Sequence, residues 1–417
     1  MSAVTELKTR TPAETQLLQL AEARGENENA RRPAIEALRR DGLPTRKVEA
    51  WHYTDLRALM GRRIKDDTAV ASLKGGDDAF LEPLLDNSAV IHLDDPVLAH
   101  LPDGVMATSS SSVADWQVLP NHLDRSIDTI RALSAAFGAS SAKIAVSGRT
   151  SVETPIELRP AAGSDSHFYA QVSVGEGASA TFVERLEGEG AAAPTTGIST
   201  LTIADRANVL WIVDQEKGAE ASHLGQLNVT IGADAVFRLF VLNAGGALVR
   251  YEVHAETVGE GADVQIRGAN LLKDGQHLDV TTTLNHRVAH TTATETFRNV
   301  VTGGHGVFQG MIKVAKGAQK TDAKMACNSL LLSDEGDFSA KPELEIFADD
   351  VQCGHGATAG EIDADHLFYL MSRGIPEATA RALLVKAFLG EVVEELEDEA
   401  IVEALEARID AWLDANA

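Results

Sequence analysis

A short alanine-led motif recurs through the middle of this chain at a nearly constant interval. Alanine followed by a strand-like run, in most cases preceded by a glycine or polar residue, occurs at Ala178, Ala207, Ala233, Ala262, Ala289, Ala318 and Ala348, at successive separations of 29, 26, 29, 27, 29 and 30 residues. A period in the twenties signals a solenoid, whose coils cannot bury their apolar faces alone and do so only by stacking. The runs after the marker, such as residues 180–183, 209–213, 236–242 and 264–266, are short and alternate with Gly, Asp and Asn turns. They hold too little helical period for a helical solenoid, and the leucine-rich signature is missing. The expected core is therefore a parallel β-helix over residues 142–363. The alternative is a large antiparallel sandwich whose hairpins happen to recur.

The flanks have a different texture. Leu17, Leu18 and Ala21, then Ile35 and Leu38, recur at helical spacing up to about Arg63, with Gly42 and Pro44 as a stop. A strand-like run at residues 89–93, a serine run at 109–112 and a helix over 126–137 follow. Beyond Ile362, Asp365 is a candidate cap for a helix holding Leu367, Phe368, Leu370 and Met371, and Gly374-Ile375-Pro376 breaks it. Pro376 suits the first turn of a longer helix, and Val402, Leu405, Ile409 and Trp412 form the stripe of a last one. The acidic stretch over residues 391–399 reads as a solvated face or as a dock for a basic subunit. The division is thus an N-terminal helical and mixed region (1–141), the β-helix (142–363) and a C-terminal helical domain (364–417).

Composition excludes several classes of function. The net charge of −25 argues against nucleic acid, which draws affinity from clustered Lys and Arg. The first ten residues lack a basic start followed by an apolar stretch, and no run of about 18 apolar residues occurs, so no membrane association is expected. Two cysteines 26 positions apart cannot staple a chain of 417 residues, and their scarcity suits a reducing compartment, so the expected location is cytoplasmic. Gly317 to Thr321 ends in Lys-Thr but lacks the spaced glycines of a phosphate loop, so no nucleotide is expected on this chain. Gly304-His305-Gly306 lacks the third glycine and helix of a dinucleotide fingerprint. Neither a Gly-x-Ser-x-Gly elbow nor a His-Glu-x-x-His motif is present, and the chain is not expected to be an enzyme.

The chemistry that remains is concentrated in Asp349-Asp350-Val351-Gln352-Cys353-Gly354-His355-Gly356. In an extended chain Cys353 and His355 project from one face, roughly 7 Å apart along the backbone. They make half of a soft-metal site; the same pattern also describes a small buried hydrophobe beside a solvated imidazole. Cys327 falls nine residues past its marker and Cys353 five, so the two thiols occupy different columns, and a closed four-ligand zinc site is not expected. His286 and His290, four apart among β-branched threonines, read as solvent-facing wall or turn residues, and His277 and His305, next to or near glycines, as turns.

Longer stretches carry a family likeness. Phe308-Gln309-Gly310, Gly317-Ala318-Gln319-Lys320-Thr321-Asp322-Ala323, Asn328-Ser329-Leu330-Leu331-Leu332, Lys341-Pro342-Glu343-Leu344-Glu345-Ile346, the run from Ala348 to His355, and Leu367-Phe368-Tyr369-Leu370 with Arg373-Gly374-Ile375 closely resemble the SufB/SufD family of scaffold subunits in the SUF iron–sulfur cluster assembly machinery. Pro44-Thr45-Arg46-Lys47-Val48-Glu49-Ala50-Trp51-His52-Tyr53-Thr54-Asp55-Leu56 is similar to that family too. His355-Gly356-Ala357 lacks the glutamate of the SufB branch, which points to the SufD branch. The resemblance implies a right-handed parallel β-helix between helical ends, a SufB-type subunit paired along it, and a SufC-type ATPase docked on the C-terminal helices. It also implies a transient iron–sulfur cluster, or iron, at the subunit interface, with His355 contributed from this side and Cys353 as a weaker companion. Reduced flavin in the complex, the cluster type and homodimerisation of the isolated chain stay open. An imidazole, with an ordinary pKa near 6.5, accepts iron at neutral pH, whereas a thiol near 8.5 needs a positive neighbour or the metal itself to ionise. Two other classes are a polysaccharide-acting β-helix enzyme, which would need carboxylates clustered on one wall, and a purely structural homodimer.

Overall fold

The computed structural model describes residues 10–24, 28–63, 82–94, 101–110, 128–160, 166–188 and 193–416. The first nine residues and part of the serine run (111–112) lie outside them. Two nine-stranded sheets face each other. Sheet A holds, in order, β1 (Ala89–His92), β4 (Ile156–Arg159), β6 (Ser179–Leu186), β8 (Asn208–Gln215), β10 (Val236–Asn243), β12 (Asp263–Leu272), β14 (Thr292–Val301), β16 (Asp322–Leu331) and β18 (Gln352–Gly360). Sheet B holds β2 (Val105–Ser110), β3 (Ser140–Val146), β5 (His167–Val174), β7 (Thr195–Ile203), β9 (Ser222–Ile231), β11 (Leu248–Thr257), β13 (His277–His286), β15 (Gly304–Val314) and β17 (Gly336–Ile346). Successive strands alternate between the sheets and pair in parallel with the strand two before, which is a parallel β-solenoid. β2 is the exception: it runs antiparallel to β3. The solenoid also recruits β1 and β2 from the region ahead of residue 142.

The register shows what the repeat is made of. Ser179, Asn208, Val236, Asp263, Thr292, Asp322 and Gln352 stack on one another, 29, 28, 27, 29, 30 and 30 residues apart. The residues just before them are Ala178, Ala207, Ala235, Ala262, Thr291, Thr321 and Val351. Ala233, Ala289, Ala318 and Ala348 therefore lie two or three positions early, in the turns. The period is that of the coil, and the position entering the strand holds alanine, threonine or valine.

Alternate residues of each strand fill the interior, with Phe182, Trp211, Leu239 and Ile266 stacked in one column. Where a ring must cross the core its neighbour shrinks: a Cβ on Gly197 would collide with the Phe168 ring.

Helices cover both outer faces. α1 (Pro12–Ala23) opens with a capping box, in which Thr11 accepts from the Glu14 N–H and Glu14 accepts from the Thr11 N–H. With α2 (Glu28–Asp41) and α4 (Thr129–Ala136) it packs on Tyr169, Ile198, Leu224 and Leu248 of sheet B. The segment before α3 (Leu56–Arg63) pins this layer down. Buried Trp51 stacks on the Arg250 guanidinium at 4.3 Å; Arg250 pairs with Asp279 and Glu252 and donates to the Ala50 carbonyl at 2.8 Å. Thr54 donates to Asp279 and meets His277 Nε2 at 2.9 Å. Breaking such a buried charge set by removing one member strands the others, at a cost of about 3–5 kcal/mol.

On sheet A, α6 (Glu377–Val393) and α7 (Glu399–Asn416) bury Val385, Leu389, Leu405 and Ile409 against Leu210, Phe240 and Val300. Arg267 pairs with Glu395 and Arg298 with Glu391, so part of the acidic stretch binds the chain's own sheet. α5 (Ala364–Ser372) is capped by Asp363, not Asp365: its carboxylate accepts from the Asp365 and His366 N–H groups.

Candidate functional site

The last coil of the solenoid is left open. Among the described residues β18 pairs only with β16 and β17 only with β15, so both sheets end in strands with one edge that no described strand pairs. The Gln352 N–H is spent on Thr321, and parallel ladders alternate, so the N–H groups of Cys353, His355 and Ala357 face the free edge. On β17 the Phe347 N–H goes to Val314, which puts Pro342 among the positions facing the free edge. Proline, lacking an N–H, is tolerated there because no ladder bond is lost. The apolar interior is uncovered at the same end: Phe338, Leu344, Val351 and Cys353 are only partly buried against the core, and Phe347 is 64% exposed.

Cys353 and His355 sit on this rim. Register places Cys353 opposite Ala323 and His355 opposite Met325, both inward-facing, so the two side chains continue interior columns and project from one face. His355 is exposed and Cys353 half-buried. Burial pushes the Cys353 thiol up, and the Asp322 charge adds to this, against the opposing pull of the Ala323 N–H. The thiol is therefore neutral at pH 7 until a cation displaces its proton. A Cβ on Gly354 or Gly356 would meet no atom within 4 Å, so the backbone on either side of the imidazole is bare.

The other thiol is of a different kind. Cys327 stands opposite Ala357, four positions along the strand from the Cys353 column, or roughly 13 Å at the strand rise. Burial pushes it up to about 12, and Asn299 donates to its sulfur at 3.2 Å. It is an interior hydrophobe. Among the described residues no group of three or more His, Cys, Asp or Glu stands close enough to hold a metal. Cys353 and His355 are thus two same-face side chains on the rim, with no third His, Cys, Asp or Glu near enough to hold a metal with them among the described residues.

Of the other histidines, His290 is a turn residue with φ of 57°. His286 is buried rather than solvent-facing, 2.8 Å from the Thr291 hydroxyl, and burial pushes it down to about 4. His277 opens β13 rather than lying in a turn, and burial likewise holds it near 4.

The model of the SUF system FeS cluster assembly SufBD core domain matches residues 161–388. The chain is 30% identical over 397 residues to the iron-sulfur cluster assembly protein SufD of Escherichia coli, covering 92% of each. This is a SufD-type member of the SufBD family. A SufBD family protein of Synechocystis is 26% identical over 88% of this chain and 87% of its own length, and the chloroplastic protein ABCI7 of Arabidopsis thaliana is 26% identical over 84% and 78%. A role in iron–sulfur cluster assembly follows for this SufD-type chain. The matched core ends at residue 388, so it takes in the open coil and α5 as well as most of the solenoid.

Two interior acids, Glu184 and Glu295, and the thioether of Met325 stand in no motif that marks them in the sequence. Parity was the available signal. In Ala293-Thr294-Glu295-Thr296-Phe297 the glutamate shares its face with two apolar residues, and Glu184 does so between Phe182 and Leu186.

Proposed function

We propose that this chain is a non-enzymatic scaffold subunit whose open coil is completed by a SufB-type partner, the nascent cluster forming at the junction. The carrying observation is that both sheets end in edges that no described strand pairs, at the place where Cys353 and His355 project. An edge of this length, with apolar interior behind it, is an aggregation liability unless another chain covers it. His355 supplies an imidazole to iron or to the nascent cluster, and Cys353 a thiolate once the metal has displaced its proton; both are cargo contacts, and the partner fills the remaining positions. A cluster held by few groups from each side is released readily.

The second partner in this reading is a SufC-type ATPase on the C-terminal helices. α5 buries none of its residues, and its Phe368 (73% exposed), Tyr369 and Met371 are exposed, as is Leu383 on the neighbouring α6. Apolar groups clustered in this way mark a protein contact. ATP binding would act by differential contacts in two states, shifting the helical arm and with it the accessibility of the junction. No nucleotide is bound by this chain in this reading, and the complex works in the cytoplasm.

Co-expression with the SufB-type and SufC-type subunits is the test. The three co-purify, and His355→Ala leaves the complex intact while cluster formation falls at least tenfold. Full-rate cluster formation by His355→Ala removes the residue from the site; recovery of this chain without either co-expressed subunit overturns the scaffold reading. Cys353→Ala in the same assay gives a smaller loss if the thiol participates.

A further inference from the structure

Behind the open coil the interior carries an acid that an apolar core does not require. Glu295 lies between Ala293 and Phe297 on the inward face of β14 and is fully buried. Register stacks Met325 on Glu295 and His355 on Met325, so two strand spacings, roughly 10 Å, separate the Glu295 backbone from that of His355. Neither carboxyl oxygen has a hydrogen-bond partner among the described residues, and the buried Thr282 hydroxyl is unpartnered as well. Thr282 lies near enough to favour the carboxylate slightly, yet short of hydrogen-bond geometry. Gly310, stacked on Thr282, keeps open the space that the Met325 thioether fills, since a Cβ there would collide with the sulfur.

On the inward faces of β12, β13, β15, β16 and β17 the titratable groups are Cys327, which is neutral, and His286 at the end of β13, which burial holds near 4 and so keeps neutral at pH 7. Arg298 on β14 itself points outward to Glu391. With no cationic side chain facing it and only Thr282 favouring the carboxylate, burial pushes Glu295 up to about 7, and the acid is largely protonated below that pH. Buried polar atoms left without partners call for an explanation, and here the explanation lies along the column toward the rim.

We propose that Glu295 is the proton-exchanging group behind the open edge, protonated while the edge is empty and ionised when positive charge is bound there. The proposal rests on the reading of His355 and Cys353 as cargo ligands. The step is an acid dissociation: the carboxyl O–H bond breaks, the proton leaves to water, and the carboxylate remains as a counter-charge, with nothing oxidised or reduced. A divalent cation about 10 Å away, at an effective dielectric constant of about 20, weakens the carboxyl's hold on its proton by roughly a hundredfold. Loading is thereby eased without a permanent charge in the core.

The test is anaerobic ferrous-ion titration of the full chain in its co-purified complex, with proton release followed in weakly buffered solution. Wild type, Glu295→Gln, the apolar Glu295→Met and His355→Ala are compared between pH 5 and pH 8. Wild-type affinity is expected to rise about fiftyfold more across this range than that of either Glu295 variant, with more protons released per iron. His355→Ala loses the iron. Superimposable pH profiles and proton counts in wild type and both Glu295 variants, with iron binding still dependent on His355, overturn this proposal alone. Equal iron binding by wild type and His355→Ala overturns the ligand reading and the proposal together.

Discussion

Glu184 and Glu295 both face the solenoid interior, and burial pushes each to about 7. They differ in company: Glu184 accepts from Ser199 Oγ at 2.8 Å and Tyr251 Oη at 3.1 Å, whereas Glu295 has no hydrogen-bond partner among the described residues. Because the folded value lies above the ordinary carboxyl value of 4.5, the stabilising contribution is complete below about pH 4.5 and is lost as pH rises through 7. The difference amounts to roughly 3 kcal/mol per acid above pH 7. Glu295→Gln should therefore raise the denaturant midpoint clearly at pH 8 and little at pH 5, and Glu184→Gln should do the same with a smaller gain because it also disturbs two hydrogen bonds. Equal shifts at both pH values would mean that neither acid is perturbed in the fold. These two residues were hidden in the sequence because glutamate in a strand is ordinarily read as outward-facing; only the parity of its neighbours contradicts that. His355 and Cys353, by contrast, were legible as a same-face pair because a strand fixes alternate residues to one side whatever lies around it.

At the scale of elements, β18 decides what the molecule can join. Ala357 turns its N–H to the free edge, so Ala357→Pro removes a donor that the chain itself does not use. The variant should keep its far-UV circular dichroism and thermal midpoint while partner co-purification falls at least tenfold; undiminished co-purification would show that pairing does not run along β18. Strands and helices were visible in the sequence through their periods, and their ends less so. Asp363 rather than Asp365 caps α5 because its carboxylate reaches two N–H groups of the first turn. The alanine markers slipped by two or three residues because turns vary in length while the ladder keeps strict register. The Trp51 segment was recognisable as a motif, yet its work as a clamp on Arg250 depends on a residue 199 positions away, which no local pattern encodes.

The whole molecule is a stack in which each coil leans mainly on its neighbours, so local stability follows position along the axis. Hydrogen exchange on the isolated chain should show the strongest protection in β8 to β13, where coils are flanked on both sides and roofed by helices, and the weakest in β17 and β18. Partner binding should raise protection in those last two strands first. Uniform protection along the axis would rule out this gradient.

The two ends of the stack are unlike. At the start, β2 turns antiparallel and interrupts the parallel ladder of sheet B, while at the finish both ladders stop in mid-pattern. Because β2 runs against the ladder that β17 would continue, one copy cannot extend both sheets of the next head to tail, so assembly through the open coil stops at a defined size instead of growing into a fibre.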